Sequence, residues 1–413
     1  MDLHGDRPRL AAVEPRLVTL DDGSRAVAIH DPMGIVEAGV VLSPAAWWLA
    51  ARFDGRHAIE AIVAEAREEG LEVQPDDVAA LAAELRRVGF VHGPAHEALR
   101  AKAIAAFRAL RVRPPACAGG VYPAREAALR RELDGWLERV TSPAPARAET
   151  RPPVRPSTGS GRTGFQSDEV RLLVAPHIDY RRGGVGYAHA YAALRGAAPD
   201  LVVIFGTAHA TPPRLFTLTR LDYDTPLGPA RTDRDVVDAL ARALGEDEVL
   251  GDELCHRDEH SCELQLPWLR HVLDRPFTVL PVLCSSITHL DDSAAATAPF
   301  LDALRSAVAG RRVLWLAAAD LAHVGPHYGD PAPADADRLR AVAAEDLATM
   351  AFVERGDATG FHRAAVRDDA RRRLCGTAPI YAALRASGAG ARLLHHAQWS
   401  DGTDSVSYAA AAG

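Results

Sequence analysis

The 413-residue chain has almost no lysine. Lys102 is the only one, and arginine carries the rest of its basic charge. Asp and Glu number 55 against 47 Lys and Arg, so the formal net charge is −8. No basic stripe interleaved with aromatics is present, which argues against a general nucleic-acid binder. Long apolar runs are also missing. No run reaches the roughly 18 residues that a membrane-spanning helix needs, so no membrane partner is expected. The N-terminus, Met1-Asp-Leu-His-Gly-Asp-Arg-Pro8, lacks a charged-then-apolar signal. Cysteine is scarce and odd in number: Cys117, Cys255, Cys262, Cys284 and Cys375, with no CxxC spacing. A disulfide framework is not expected, and the expected setting is a reducing cytoplasm. The remaining composition, 48% hydrophobic and 25% charged, is that of an ordinary globular chain long enough for two domains.

Residues 1–112 read as a small α+β module. Val18-Thr-Leu20 and Ala26-Val-Ala-Ile29 flank Asp21-Asp-Gly23 in the manner of a hairpin. Ser43-Pro44 opens a helix, Ala58 to Ala66 is amphipathic, and Pro75-Asp-Asp77 opens a third helix with acids in its first turn. Gly89-Phe-Val91 reads as a short strand. Hairpin, three helices and a terminal strand suggest a winged-helix-like unit. A second domain runs from 113 to 413. Within it, 142–167 is rich in Pro, Ser, Gly and Arg and reads as a flexible loop. Strands are expected at 170–175, 201–205, 214–219, 277–283, 312–318 and 405–410, the last antiparallel or at an edge. Helices are expected at 184–195, 233–244, 261–272, 297–308, 335–354, 357–368 and 377–386. This alternation predicts an α/β fold, a layered and mostly parallel sheet flanked by helices.

The rare polar residues gather at strand ends. His177 follows Val174-Ala-Pro176, and His209 follows Phe205-Gly-Thr-Ala208. Open parallel sheets place their chemistry at such C-terminal ends. A lone histidine there is commonly a structural hydrogen-bonding group, but a repeated one points to a metal. Cys375 precedes a helix start, where a thiol is expected to titrate low and ligate as thiolate. Its bland alternative, a small buried hydrophobe, fits Cys117, Cys262 and Cys284. His177, His209 and Cys375 would together bind a soft or borderline ion. Asp320 and His323 follow another apolar run and would face one pocket if the segment turned helically, His323 as general acid/base and Asp320 orienting it. Glu259 and His260 precede a helix that Ser261 could cap and whose positive end Glu263 could serve. That places Glu259 and His260 at the pocket mouth.

Taken in order, the motifs closely resemble the MEMO family, the B component of the AmmeMemoRadiSam system. They are Ala118-Gly-Gly-Val-Tyr-Pro123, Ala175-Pro-His-Ile-Asp-Tyr180, Gly206-Thr-Ala-His209, Asp224-Thr-Pro-Leu-Gly228, Glu259-His-Ser-Cys-Glu263 with Leu266-Pro267, Asp320-Leu-Ala-His323, Cys375-Gly376 and Ser405-Val-Ser-Tyr408. The resemblance covers about 113–413 and extends in fold to class III extradiol dioxygenases of the LigB type, which bind Fe(II) through two histidines and a carboxylate. It implies that His177, His209 and Cys375 are the ligands, cysteine replacing the carboxylate, and that Asp320 and His323 are the nearby acid and base. Three departures stand out. Ala210 replaces a second family histidine, Ile178-Asp179 replaces Ala-Gly and brings a carboxylate near the metal, and Ala319 replaces a common serine. The N-terminal module resembles the PqqD-type peptide chaperones over Asp31 to Val91, centred on Phe53-Asp-Gly55.

Three functions remain open. One is a mononuclear non-haem metal redox enzyme or oxygenase acting on a small molecule or peptide, with one ion, iron or copper ahead of zinc. The second is a non-catalytic peptide- or protein-binding module using the same pocket. The third is a metal-dependent hydrolase. A radical-SAM enzyme or a precursor peptide is the expected partner of the N-terminal module.

Overall fold

The computed structural model describes residues 6–141, 170–290, 292–367 and 371–413; the expected loop at 142–167 lies outside them. The chain divides into two compact units, Met1–Leu110 and Arg111–Gly413.

In the first unit, β1 (Glu14–Thr19) and β2 (Arg25–His30) form a hairpin, and β3 (Val40–Leu42) pairs antiparallel with β2. Ser43 Oγ accepts the Ala46 N–H and caps α1 (Pro44–Ala50). α2 (Ile59–Glu68) and α3 (Pro75–Val88) follow, then α4 (Pro94–Ala109), which the sequence did not suggest. Ile29, Phe53, Ile62 and Phe90 are buried in its core. The strand expected at Gly89–Val91 shrinks to one bridge between Leu10 and Val91. Gly89, at φ +94°, ends α3 in a left-handed cap, so the chain turns before a ladder can form.

The second unit contains β4 (Val112–Arg113), α5 (Glu126–Thr141), β5 (Leu172–Ala175), α6 (Tyr180–Ala192), β6 (Leu201–Thr207), β7 (Phe216–Thr217) and β8 (Asp222–Tyr223). Next come α7 (Arg234–Leu244), α8 (Glu246–Leu250), α9 (Gln265–Val272), β9 (Thr278–Cys284), α10 (Ser293–Ala307), β10 (Val313–Ala318) and β11 (Asp320–Val324). It closes with α11 (Ala336–Glu354), α12 (Ala358–Ala365), α13 (Thr377–Ser387), β12 (Arg392–Ser400) and β13 (Ser405–Ala412). The central sheet runs β11-β13-β5-β10-β6-β9-β7, with β12 also on β13. β5, β10, β6 and β9 are mutually parallel, and the flanking strands pair antiparallel. The parallel strands are continuous apolar runs because helices cover both their faces. β13 is antiparallel as expected but internal and buried at every residue: β12 pairs along its whole length on one edge, while β11 and β5 share the other. Its alanines let both layers approach.

β10 enters the sheet between β5 and β6, although it follows both in the chain. Such reversals of strand order open a crevice at the carboxyl ends of the strands. Among the described residues no helix is long and apolar enough to cross a membrane.

Candidate metal centre

The crevice at that reversal receives one residue from each strand. His177 lies just beyond β5, Asp320 just beyond β10, and His209 just beyond β6. Two glycines bring the other parts close. The Gly376 N–H, before α13, donates to the Asp320 carbonyl at 3.1 Å. A Cβ on Gly376 would stand 2.4 Å from that oxygen and 2.6 Å from Ala319 Cβ, so only glycine lets the Cys375 turn touch β10. At the end of β6 a Cβ on Gly206 would stand 2.6 Å from both Cys262 Sγ and Ser261 Oγ. Its absence lets the 259–262 segment close on the strand, where Ser261 Oγ donates to the Thr207 carbonyl at 2.8 Å.

Two overlapping sets of donors result, and His177 belongs to both. His177, His209 and His260 form one, with ligand atoms all within 4.8 Å of one another; His177, Asp320 and Cys375 form the other. His177 Nδ1 donates to the Ala318 carbonyl at 2.9 Å, since a carbonyl can only accept. Its Nε2 is left facing Cys375 Sγ at 3.2 Å and Asp320 Oδ2 at 3.7 Å. His209 Nδ1 lies 3.0 Å from Glu259 Oε1, which leaves its Nε2 free, and the His209 N–H donates to Glu259 Oε2 at 2.8 Å. Anchoring one ring nitrogen on a carbonyl or carboxylate is the arrangement of metal-bound histidines. Imidazole and thiol donors with fixed far nitrogens therefore fit a borderline or soft ion.

Charge differs across the pocket. Burial pulls His177 down to about 3, so it stays neutral and able to ligate. Burial also pulls His209 down, but the hydrogen bond and charge of Glu259 outweigh it and raise that ring overall. Glu259, although buried, is held far below the usual carboxylate range by His209 and His260. Asp320 is raised by burial, and the charge of His323 opposes that.

The structure changes several readings. Asp320 and His323 lie on strand β11, not on a helical turn. Asp320 opposes Tyr408 and His323 opposes Val406, so three steps on β11 match two on β13. That bulge inserts one residue and returns both side chains to one face, which a regular strand would not do. The Cys375 thiol is not lowered: burial, reinforced by the Asp320 charge, pushes it well up when no cation is bound. Asp179 adds no carboxylate to the centre, because it caps α6 through Arg182 N–H at 3.0 Å and pairs with Arg182 Nε at 2.5 Å. Ser261 is not the cap of α9, which starts at Gln265 behind Leu264. Glu263 is no dipole partner either. It is fully buried and accepts from Arg113 Nη1 (2.5 Å), Ala116 N–H (2.9 Å), Cys117 N–H (2.8 Å) and Tyr122 OH (2.7 Å).

Sequence reasoning missed two supports. Arg113, fully buried, also donates to the carbonyls of His256 (Nε, 2.5 Å) and Glu259 (Nη2, 2.9 Å). It thus holds an arch from residue 256 to 263. Behind β11, Arg372 Nη1 pairs with buried Asp346 at 2.7 Å while its carbonyl accepts the His323 N–H at 2.7 Å. Both pairs join residues far apart in the chain, so no local spacing could reveal them.

The family model for Memo-like proteins matches residues 113–412. The chain belongs to the Memo-like family. Among its relatives, a MEMO1 family protein of Methanosarcina mazei is 29% identical over 296 residues, covering 71% of this chain and 94% of the relative. One of Methanopyrus kandleri is 32% identical over 218 residues, covering 52% and 70%. The Memo-like match begins at Arg113, the residue that ties down the arch.

Proposed function

We propose that the Memo-like unit is a mononuclear non-haem metal enzyme of redox or oxygenase type, acting on a small molecule or peptide. The observation that carries this is that buried His177 belongs to two donor sets at one strand-end corner, one with His209 and His260 and one with Asp320 and Cys375. His177, His209 and Cys375 hold the ion; imidazole and thiolate donors suit copper, iron and zinc alike, and the MEMO resemblance puts copper or iron ahead. The fold that the MEMO resemblance implies, shared with LigB-type dioxygenases, agrees with this reading. A bound redox ion supplies electron transfer that no side chain offers. The chain does the rest. Glu259 fixes the tautomer of His209. His323 Nδ1 donates to the Leu321 carbonyl at 3.1 Å, leaving Nε2 to accept or return a substrate proton. Burial lowers His323 and so keeps it in the accepting form. Asp320, electrostatically coupled to it, stabilises the protonated ring.

Metal analysis of protein purified without oxygen, followed by oxygen uptake with candidate peptides, tests this. Stoichiometric iron or copper with substrate-dependent uptake supports it. Zinc alone, with hydrolysis and no uptake, replaces it with the hydrolase reading that three histidines also permit. Peptide binding with no turnover on any metal replaces it with the binding-module reading.

We assign recognition to the Met1–Leu110 unit, with a PqqD-like role toward a precursor peptide or a radical-SAM partner. Leu17 on β1 is 67% exposed and Val41 on β3 is 55% exposed, apolar groups beside strand edges that an added strand would cover. Residues 111–413 expressed alone should fold and keep metal yet lose capture of a co-encoded peptide; unchanged capture removes this role.

A further inference from the structure

We propose that His260 is a metal ligand, a third imidazole beside His177 and His209, rather than a group that moves protons. The inference rests on the metal-centre reading above. Its ring centre lies 4.6 Å from that of His209, nearly parallel at 21°, and 5.5 Å from that of His177 at 87°. All three present a ligand atom within the same 4.8 Å set, whereas Cys375 groups with His177 and Asp320 and not with His209. Among the described residues, the 4.8 Å set that contains both strand-end histidines is therefore completed by His260.

His260 shares a carboxylate with His209. His260 Nδ1 lies 3.3 Å from Glu259 Oε1, the oxygen that also faces His209 Nδ1 at 3.0 Å. One buried carboxylate thus hydrogen-bonds the far nitrogen of His209 and lies at ion-pair distance from that of His260. Glu259 is itself fixed, accepting from the Ser261 N–H at 2.9 Å and held by Arg113 at its carbonyl. A proton-shuttling residue gains from freedom to move. His260 instead sits on an arch whose ends at His256 and Glu263 are tied by one buried guanidinium. That rigidity suits a ligand, which must be placed within a few tenths of an ångström. Cys375 stays available as a fourth donor beside His177.

The test uses metal-free full-length protein, with cobaltous ion as one probe and cupric ion as another. In a Cys375→Ser background, which keeps copper divalent, pulsed EPR should count three imidazoles and His260→Gln should reduce the count to two. In the otherwise native chain His260→Gln should lower cobalt affinity by more than the ~10–100-fold expected of a group that only orients a ligand. His260 is partly exposed, so this variant should fold; far-ultraviolet dichroism checks it. A count of two in the parent, or three in both proteins, overturns the proposal, as does cobalt affinity equal to the parent's. If the parent itself takes up neither ion, the metal-centre reading falls and this inference with it. Uptake by the parent, with an unchanged count in His260→Gln, removes this inference alone.

Discussion

The two donor sets meet at His177 but are built by opposite means. The set with Asp320 and Cys375 is dry: His177 and Asp320 are each 2% exposed, and burial raises both the acid and the thiol. The set with His209 and His260 stands at the rim, with the His209 side chain 42% exposed, and is organised by the charge of one carboxylate, Glu259. The dry half disfavours charge, since an unpaired ion buried there is costly. The rim half already holds a carboxylate that favours a cation. In the proposed centre His209 would hold an ion from the rim, and His177 and Cys375, the latter as thiolate, from the dry half.

Removing the shared residue should have the largest effect. His177→Ala should abolish stoichiometric metal, measured on anaerobically purified protein; full retention would mean that the sets do not depend on it. Next, His323→Ala should keep the metal and lose ~10²–10⁴ in turnover. Full activity would leave His323 a structural role and end the division of labour. Glu259→Gln should cost ~10–100-fold in metal affinity through misoriented rim imidazoles, read by competition with a chelator. An affinity equal to that of wild type would show that the rim needs no carboxylate.

The smallest effect is on pH dependence of the metal-free chain. His177 is held at about 3 when folded. The unfolded chain takes up its proton below about 6.5, so this residue's contribution falls as pH drops through that window. His209 is raised when folded. Its contribution is fully present below about 6.5 and is lost as pH rises through the elevated folded value. In urea unfolding, His177→Gln should flatten the acid limb and His209→Gln the alkaline one. The reverse assignment would undo the contrast between dry and rim halves.

Much of this was legible in the chain. Val203-Ile-Phe205 and Leu172-Leu-Val174 announce buried parallel strands, and the histidines that follow them fall where such strands end. The position of Asp320 beside His177 was less legible, because a spacing of three belongs equally to a helix and to a bulged strand. β12, reading Arg-Leu-Leu-His-His-Ala-Gln-Trp-Ser, is only partly buried along most of its length and shows neither alternation nor an apolar run. Cys375 was misjudged electrostatically, since the helix-end effect is local and visible while desolvation depends on everything packed around it. Arg113 and Glu263 stand 150 residues apart, beyond any reading of spacing.

Gly206 and Gly376 act as the jaws of a gauge. Each lacks one methyl-sized group, and each absence brings a donor-bearing segment against a strand end that cannot yield. The spacing of the donors around the crevice is then set by two hydrogens as much as by the donor side chains themselves. Alanine at either position would press the jaws apart and change the spacing between donors, while leaving every donor in the chain.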